Sequence, residues 1–199
     1  ANKASIYRLV LTDPKKLKIY NEQLTRYGRN SPYFKLHAAD YFLKDLNDNQ
    51  TADTILGEIV NDFSKNPVVL KALAFLYDEE KELGKSTELY KKILRLRPKY
   101  AQSYRDLANS FAQSGAYSKA LAMNVRYGMV KDGNPSLKQS TGIDAIMESE
   151  YENISALHGH EIFKNENTQK QPIVWGARVL VEWNNSEAEF ELQVIHPNT

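Results

Sequence analysis

The residue types best suited to metal or proton chemistry cluster at His158-Gly159-His160-Glu161. On a strand, His158 and His160 would share a face; on a helix they would not. A zinc site needs three or four ligands, each held by a second layer of hydrogen bonds. The spacing offers no third ligand, so a polar helix end or loop is the simpler reading, and no metal ligand is assigned. Carboxylates are the other candidates: Glu148, Glu150, Glu152 and Glu161 lie close in sequence, and Asp78, Glu79, Glu80 and Glu82 form an acidic run. Paired carboxylates do acid–base work only in a pocket that separates their pKa values. On amphipathic helices such runs are ordinarily solvated faces. Ser and His occur without a strand–turn–helix nucleophile elbow, and none of the nine glycines builds a phosphate-binding loop. The absence of cysteine excludes disulfides, thiolate metal sites and a cysteine nucleophile. These residues predict a protein that is not an enzyme and carries no cofactor.

The bulk composition narrows the partner. The 199 residues hold 26 Lys plus Arg against 25 Asp plus Glu. So even a balance sets up no long-range field for nucleic acid or an anionic membrane. No window approaches the roughly 18 apolar residues of a membrane span, and no signal peptide is visible. Apolar residues make up 42% of the chain, enough for a core. The 12 Tyr against 2 Trp and 7 Phe suit helix seams that stay partly wet. A protein or peptide partner is the expectation that remains.

The elements that would position such a partner repeat along the chain. Ser31-Pro32, Asn66-Pro67 and Asn134-Pro135 each read as a helix start, since Pro is tolerated where its missing N–H would have no partner. A ruler of 34 residues places repeats at 33–66, 67–100 and 101–134, with a further unit from Pro135. In the second, Leu70, Leu73, Ala74 and Tyr77 share a helix face, a turn falls at Leu83-Gly84-Lys85, and Tyr90 and Ile93 line the second helix. In the third, Tyr104, Leu107, Ala108 and Phe111 line the first helix, Gly115 makes the turn, and Ala120 sits where the two helices touch. In the first, Leu36, Ala39, Leu43, Ala52 and Leu56 keep register, while Asp40 stands at a position that is normally small. Leu137, Ile143, Ile146 and Met147 suggest a helix in the last unit, and Pro14 to Tyr27 reads as one amphipathic helix before the first.

The run from Ala101 to Phe111, then Gly115 and Ala120-Leu121-Ala122, resembles the tetratricopeptide (TPR) consensus, and the preceding repeat resembles it through Tyr90 and Pro98. Ser86 replaces the usual Ala and is small enough to fit. The resemblance implies a mainly α, right-handed solenoid of helical hairpins over residues 1–164. It also implies a groove lined by the first helix of each hairpin. By register that groove would present Phe34, His37, Tyr41, Lys71, Phe75, Asp78, Arg105, Asn109 and Gln113. Arg105 and Asn109, with Lys71 nearby, could then hold a peptide carboxylate or carbonyl. The likeness to the carboxylate-clamp class is partial, because Ser140 stands where the following repeat would supply Asn.

Residues 165–199 differ in kind. A polar linker, Asn165 to Gln171, precedes two alternating segments near 177–183 and 188–195, joined by the turn signal Asn184-Asn185-Ser186. They predict a β-hairpin, which is marginal alone and needs a surface to cover it. The segment resembles the opening of a β-sandwich domain found in uncharacterised bacterial envelope proteins. There the turn and second strand are Asp-rich, where this chain has Asn184, Ser186, Glu189, Glu191 and His196. That resemblance implies a piece of a longer polypeptide, with a periplasmic or cell-surface location favoured over a cytoplasmic one. The expected function is a scaffold that binds a peptide or protein segment in the groove. The alternative is a helical part of a larger envelope protein whose ligand- or carbohydrate-binding β domain lies downstream.

Overall fold

The computed structural model describes residues 16–28, 31–134 and 141–163. Among them the chain is mainly α, with eight helices and no strand. They are α1 (Lys16–Gln23), α2 (Pro32–Lys44), α3 (Asn49–Asp62), α4 (Pro67–Glu79), α5 (Leu83–Leu96), α6 (Ala101–Gln113), α7 (Tyr117–Asp132) and α8 (Thr141–Ile162). A π-helical turn, Leu24–Gly28, follows α1 directly. The hairpin expected at 177–183 and 188–195 lies outside the described residues.

Local sequence starts the helices where expected. The Ser31 hydroxyl accepts from the Phe34 amide at 3.3 Å, and Pro32 takes the first helical turn. Asn66 accepts from the Val68 and Val69 amides, with Pro67 next. Asp48 accepts from the Thr51 amide and hydroxyl. Each cap satisfies helix-start N–H groups that have no partner within the helix.

The backbone between paired helices repeats. Asn47 (φ 52), Lys81 (φ 62) and Gly115 (φ 74) are left-handed, and successive members stand 34 residues apart. Each ends a first helix and reverses the chain into a second. One sequence expectation is corrected here: Leu83-Gly84-Lys85 is not the turn but the first turn of α5. The reversal is made by Lys81, whose amide bonds the Asp78 carbonyl while the Glu82 amide reaches the Tyr77 carbonyl. Gly84 has open space around it and no left-handed backbone, so its flexibility is not what bends the chain.

The same period governs packing. Ala52, Ser86 and Ala120, again at 34-residue intervals, are all fully buried on α3, α5 and α7. A larger side chain at any of them would force the two helices of its hairpin apart. Leu70, Leu73 and Ala74 on α4, and Tyr104, Leu107 and Ala108 on α6, are buried as their spacing predicts. Asp40 holds the position equivalent to Ala74 and Ala108. It stays partly exposed and pairs with Lys44 at 2.7 Å instead of entering the seam. The hairpins α2–α3, α4–α5 and α6–α7 each pack within themselves, α5 packs on α6 and α7 on α8, and the contact from the first hairpin to the second runs through α2 and α4; α6 also touches α8. Polar groups stitch neighbours together where they are buried. Thr87 on α5 and Ser110 on α6 share a hydrogen bond at 2.7 Å, and the Tyr104 hydroxyl donates to the Pro98 carbonyl. Lys35, 3% exposed, joins α2 to α3 through Glu58 at 2.9 Å and Asp62 at 2.6 Å.

The last helix is described over Thr141–Ile162; the helix start expected at Pro135, and Leu137 after it, fall on 135–140, outside the described residues. Ile143 and Met147 pack into the core from α8 as anticipated.

Candidate functional site

Six of the nine expected groove residues come together. Lys71, Phe75 and Asp78 of α4 face Arg105, Asn109 and Gln113 of α6 across a cavity of about 550 Å³. Helical spacing explains this, since 71, 75 and 78 repeat at i, i+4, i+7 and so do 105, 109 and 113 approximately. A second hollow of about 300 Å³ continues along the N-terminal half of α4, sharing Lys71, Phe75 and Asp106 with the first. It adds Val68, Arg97, Tyr100 and Ser103. Phe75 and Tyr100 are each about half exposed and Val68 is 63% exposed, so the trough presents apolar surface to solvent.

The other three lie elsewhere. Phe34 is buried, stacked on the Tyr20 ring of α1 at 5.7 Å, so it belongs to the core and not to a groove. The register gave its helix face, but α1 covers that face. His37 is exposed and meets the Tyr33 ring edge-on at 4.4 Å. Tyr41 is half-buried beside Phe42.

The charges along this face are arranged as pairs between alternate helices. Lys44 of α2 reaches Glu79 of α4 at 3.0 Å, Lys71 of α4 reaches Asp106 of α6 at 2.8 Å, and Arg105 of α6 reaches Glu150 of α8 at 2.9 Å. The last is a guanidinium fork: Nε and Nη2 both donate to Glu150, and both side chains are largely buried. The acidic residue Glu150 thus acts as a counter-ion inside the fold. Sequence reading missed this role because a pairing across 45 positions is not part of a 34-residue pattern.

This pairing revises the expected carboxylate site. Lys71 and Arg105, the cations assigned to a partner carboxylate, already hold carboxylates of the chain itself. Among the described residues, the carboxylate of this cavity without a cationic partner is Asp78. Its Oδ2 accepts from the Tyr90 hydroxyl at 2.8 Å, while its Oδ1 is shielded from solvent and has no hydrogen-bond partner among the described residues. Burial first, and then Asp78, push the Tyr90 phenol well above its ordinary range, so it remains a neutral donor. Arg97, in the other half of the trough, lies over the Tyr100 ring at 5.4 Å.

His158 Nδ1 and His160 Nε2 both approach Glu161 Oε1, at 3.4 and 3.7 Å, while His158 stacks on Tyr117 at 3.5 Å between ring centroids and His160 is exposed. Among the described residues no group of three or more His, Asp or Glu side chains is placed to hold a metal ion. No described helix is long and apolar enough to cross a membrane. The trough between α4 and α6 is where most of the sequence-expected groove residues gather. No protein-family model, curated protein or solved structure matches the chain.

Proposed function

We propose that this chain is a non-enzymatic interaction scaffold of the TPR type, a solenoid of helical hairpins that binds a peptide or protein segment between α4 and α6. The observation that supports it most is the trough itself. Exposed Val68, Phe75 and Tyr100 stand among polar groups that helix packing holds in fixed positions. Apolar anchors set among oriented polar groups are what a peptide-binding surface requires. The walls are braced by the Lys71–Asp106 and Arg105–Glu150 pairs, so little ordering cost falls on the scaffold when a segment docks. The recurring left-handed corners and the buried small residues at 34-residue intervals support the TPR reading.

The test is selection from a displayed library of random peptides on the whole chain. Peptides that bind the wild-type chain should lose binding to Phe75→Asp, while its helical circular dichroism signal and melting temperature stay unchanged. Peptides recovered equally well by both proteins would sink the reading.

A further inference from the structure

We infer that the segment held in the α4–α6 trough is basic: a Lys or Arg side chain seated against Asp78, next to a bulky apolar side chain packed on Phe75. This rests on the binding reading above and adds the chemistry of the partner.

Charge decides which segment fits this cavity. Every cation on the α4–α6 walls of the cavity around Asp78 is engaged. Lys71 holds Asp106 and Arg105 holds Glu150. Lys44, at its edge, stands between two carboxylates, Asp40 at 2.7 Å and Glu79 at 3.0 Å, so that cluster is itself net negative. Asp78 is then an additional negative charge, steadied by a neutral phenol and nothing else that carries charge. Its Oδ1 is closed to solvent, but the residue as a whole is only partly buried and lines the cavity. An ammonium or guanidinium entering the cavity offsets that charge from the side the residue leaves open. An arriving carboxylate would instead add a further negative charge beside Asp78 and Glu79.

Two further observations fix the rest of the segment. Phe75 lies one helical turn before Asp78 and stays half exposed with the Lys71 ammonium over its ring at 5.4 Å, so the residue beside the cation has the rest of that aromatic surface to cover. In the neighbouring hollow Arg97 reverses the sign of the charge, so the basic side chain is favoured at the Asp78 half alone.

The experiment uses peptides enriched from the random library on the whole chain, with affinities read by fluorescence anisotropy. The expected peptides carry Lys or Arg beside a bulky apolar residue. Asp78→Asn should weaken them by at least about tenfold. Replacing the peptide's basic residue by Gln should weaken wild-type binding similarly and leave nothing further for Asp78→Asn to remove. Peptides that depend on Phe75 but lack a basic residue, or are indifferent to Asp78→Asn, would overturn this inference and leave the binding reading standing. An absence of any Phe75-dependent peptide would overturn both. A photo-reactive Phe75→benzoylphenylalanine chain gives a second measurement without added peptide. Cross-linking to the chain's own residues 164–199, or to a second copy, would also overturn the inference.

Discussion

Arg105 and Glu150 stand 45 positions apart in sequence and form a forked ion pair, 8% and 16% exposed, that fastens α8 to α6. Removing one partner leaves the other charge buried. Arg105→Ala is expected to cost about 3–5 kcal/mol, and Glu150→Ala a similar amount. Replacing both by Met and Leu should recover most of the loss. Urea unfolding checks this, and an Arg105→Ala midpoint equal to wild type would refute it. The same result warns against using Arg105 as a binding probe, since its loss perturbs the fold.

The left-handed corners predict opposite effects of similar substitutions. Lys81→Gly removes a side chain from a conformation that costs an L-residue about 1–2 kcal/mol, partly offset by unfolded-state entropy. A net gain of about 0.5–1 kcal/mol is expected there. Gly115→Ala should destabilise by about 1 kcal/mol, although a methyl group would meet no neighbour. Gly84→Ala, in the first turn of α5, should stabilise slightly. Thermal melts of the three variants give the ranking, and a destabilised Lys81→Gly would contradict the assignment of the turn.

Asn124 occupies on α7 the place that Tyr90 holds on α5 and Leu56 on α3, and both polar atoms of its side chain are buried without partners among the described residues. Asn124→Leu should therefore stabilise by about 1–2 kcal/mol. Calorimetry would expose the error if the variant melted lower than wild type.

Stability should fall at both extremes of pH for separable reasons. The Asp144 carboxyl is held below its usual range; burial opposes this, but Lys131 and the Tyr127 hydroxyl overcome it. Its contribution is complete above the unfolded value of about 3.9 and is lost as pH falls through the lower folded value. The Lys35 ammonium is raised instead: burial opposes the charge, and Asp62 and Glu58 outweigh it. That contribution is complete below about 10.4 and fades as pH rises through the higher folded value. Asp144→Asn should flatten the acid limb and Lys35→Met the alkaline limb of a stability–pH curve. If either variant kept the wild-type slope, its ion pair would not be the cause.

Much of the helical arrangement was legible because its signals are short-range and periodic. Pro32 and Pro67 carry caps immediately before them, and Ala52, Ser86 and Ala120 mark the helix contacts at a fixed interval. The turn before α5 was misread because Gly84 looks like a breaker, whereas a lysine gives no hint of left-handed backbone; the interval back from Gly115 points to Lys81. In the trough, helix register was enough to bring Lys71, Phe75, Asp78, Arg105, Asn109 and Gln113 together. Register could not reveal that α1 covers Phe34, or that Glu150 had already taken Arg105. Both depend on contacts between distant parts of the chain, which a repeat pattern does not encode.

The chain-order packing of the hairpins bears on how the molecule assembles. Each hairpin closes over a short stretch of sequence, with its own left-handed corner and its own small-residue contact. Little loop entropy has to be spent before the first stabilising contacts form, so folding should be fast for a chain of this size. On the solenoid reading proposed above, each hairpin opens as a unit of its own, and hydrogen exchange should resolve the three hairpins as separate blocks of protection.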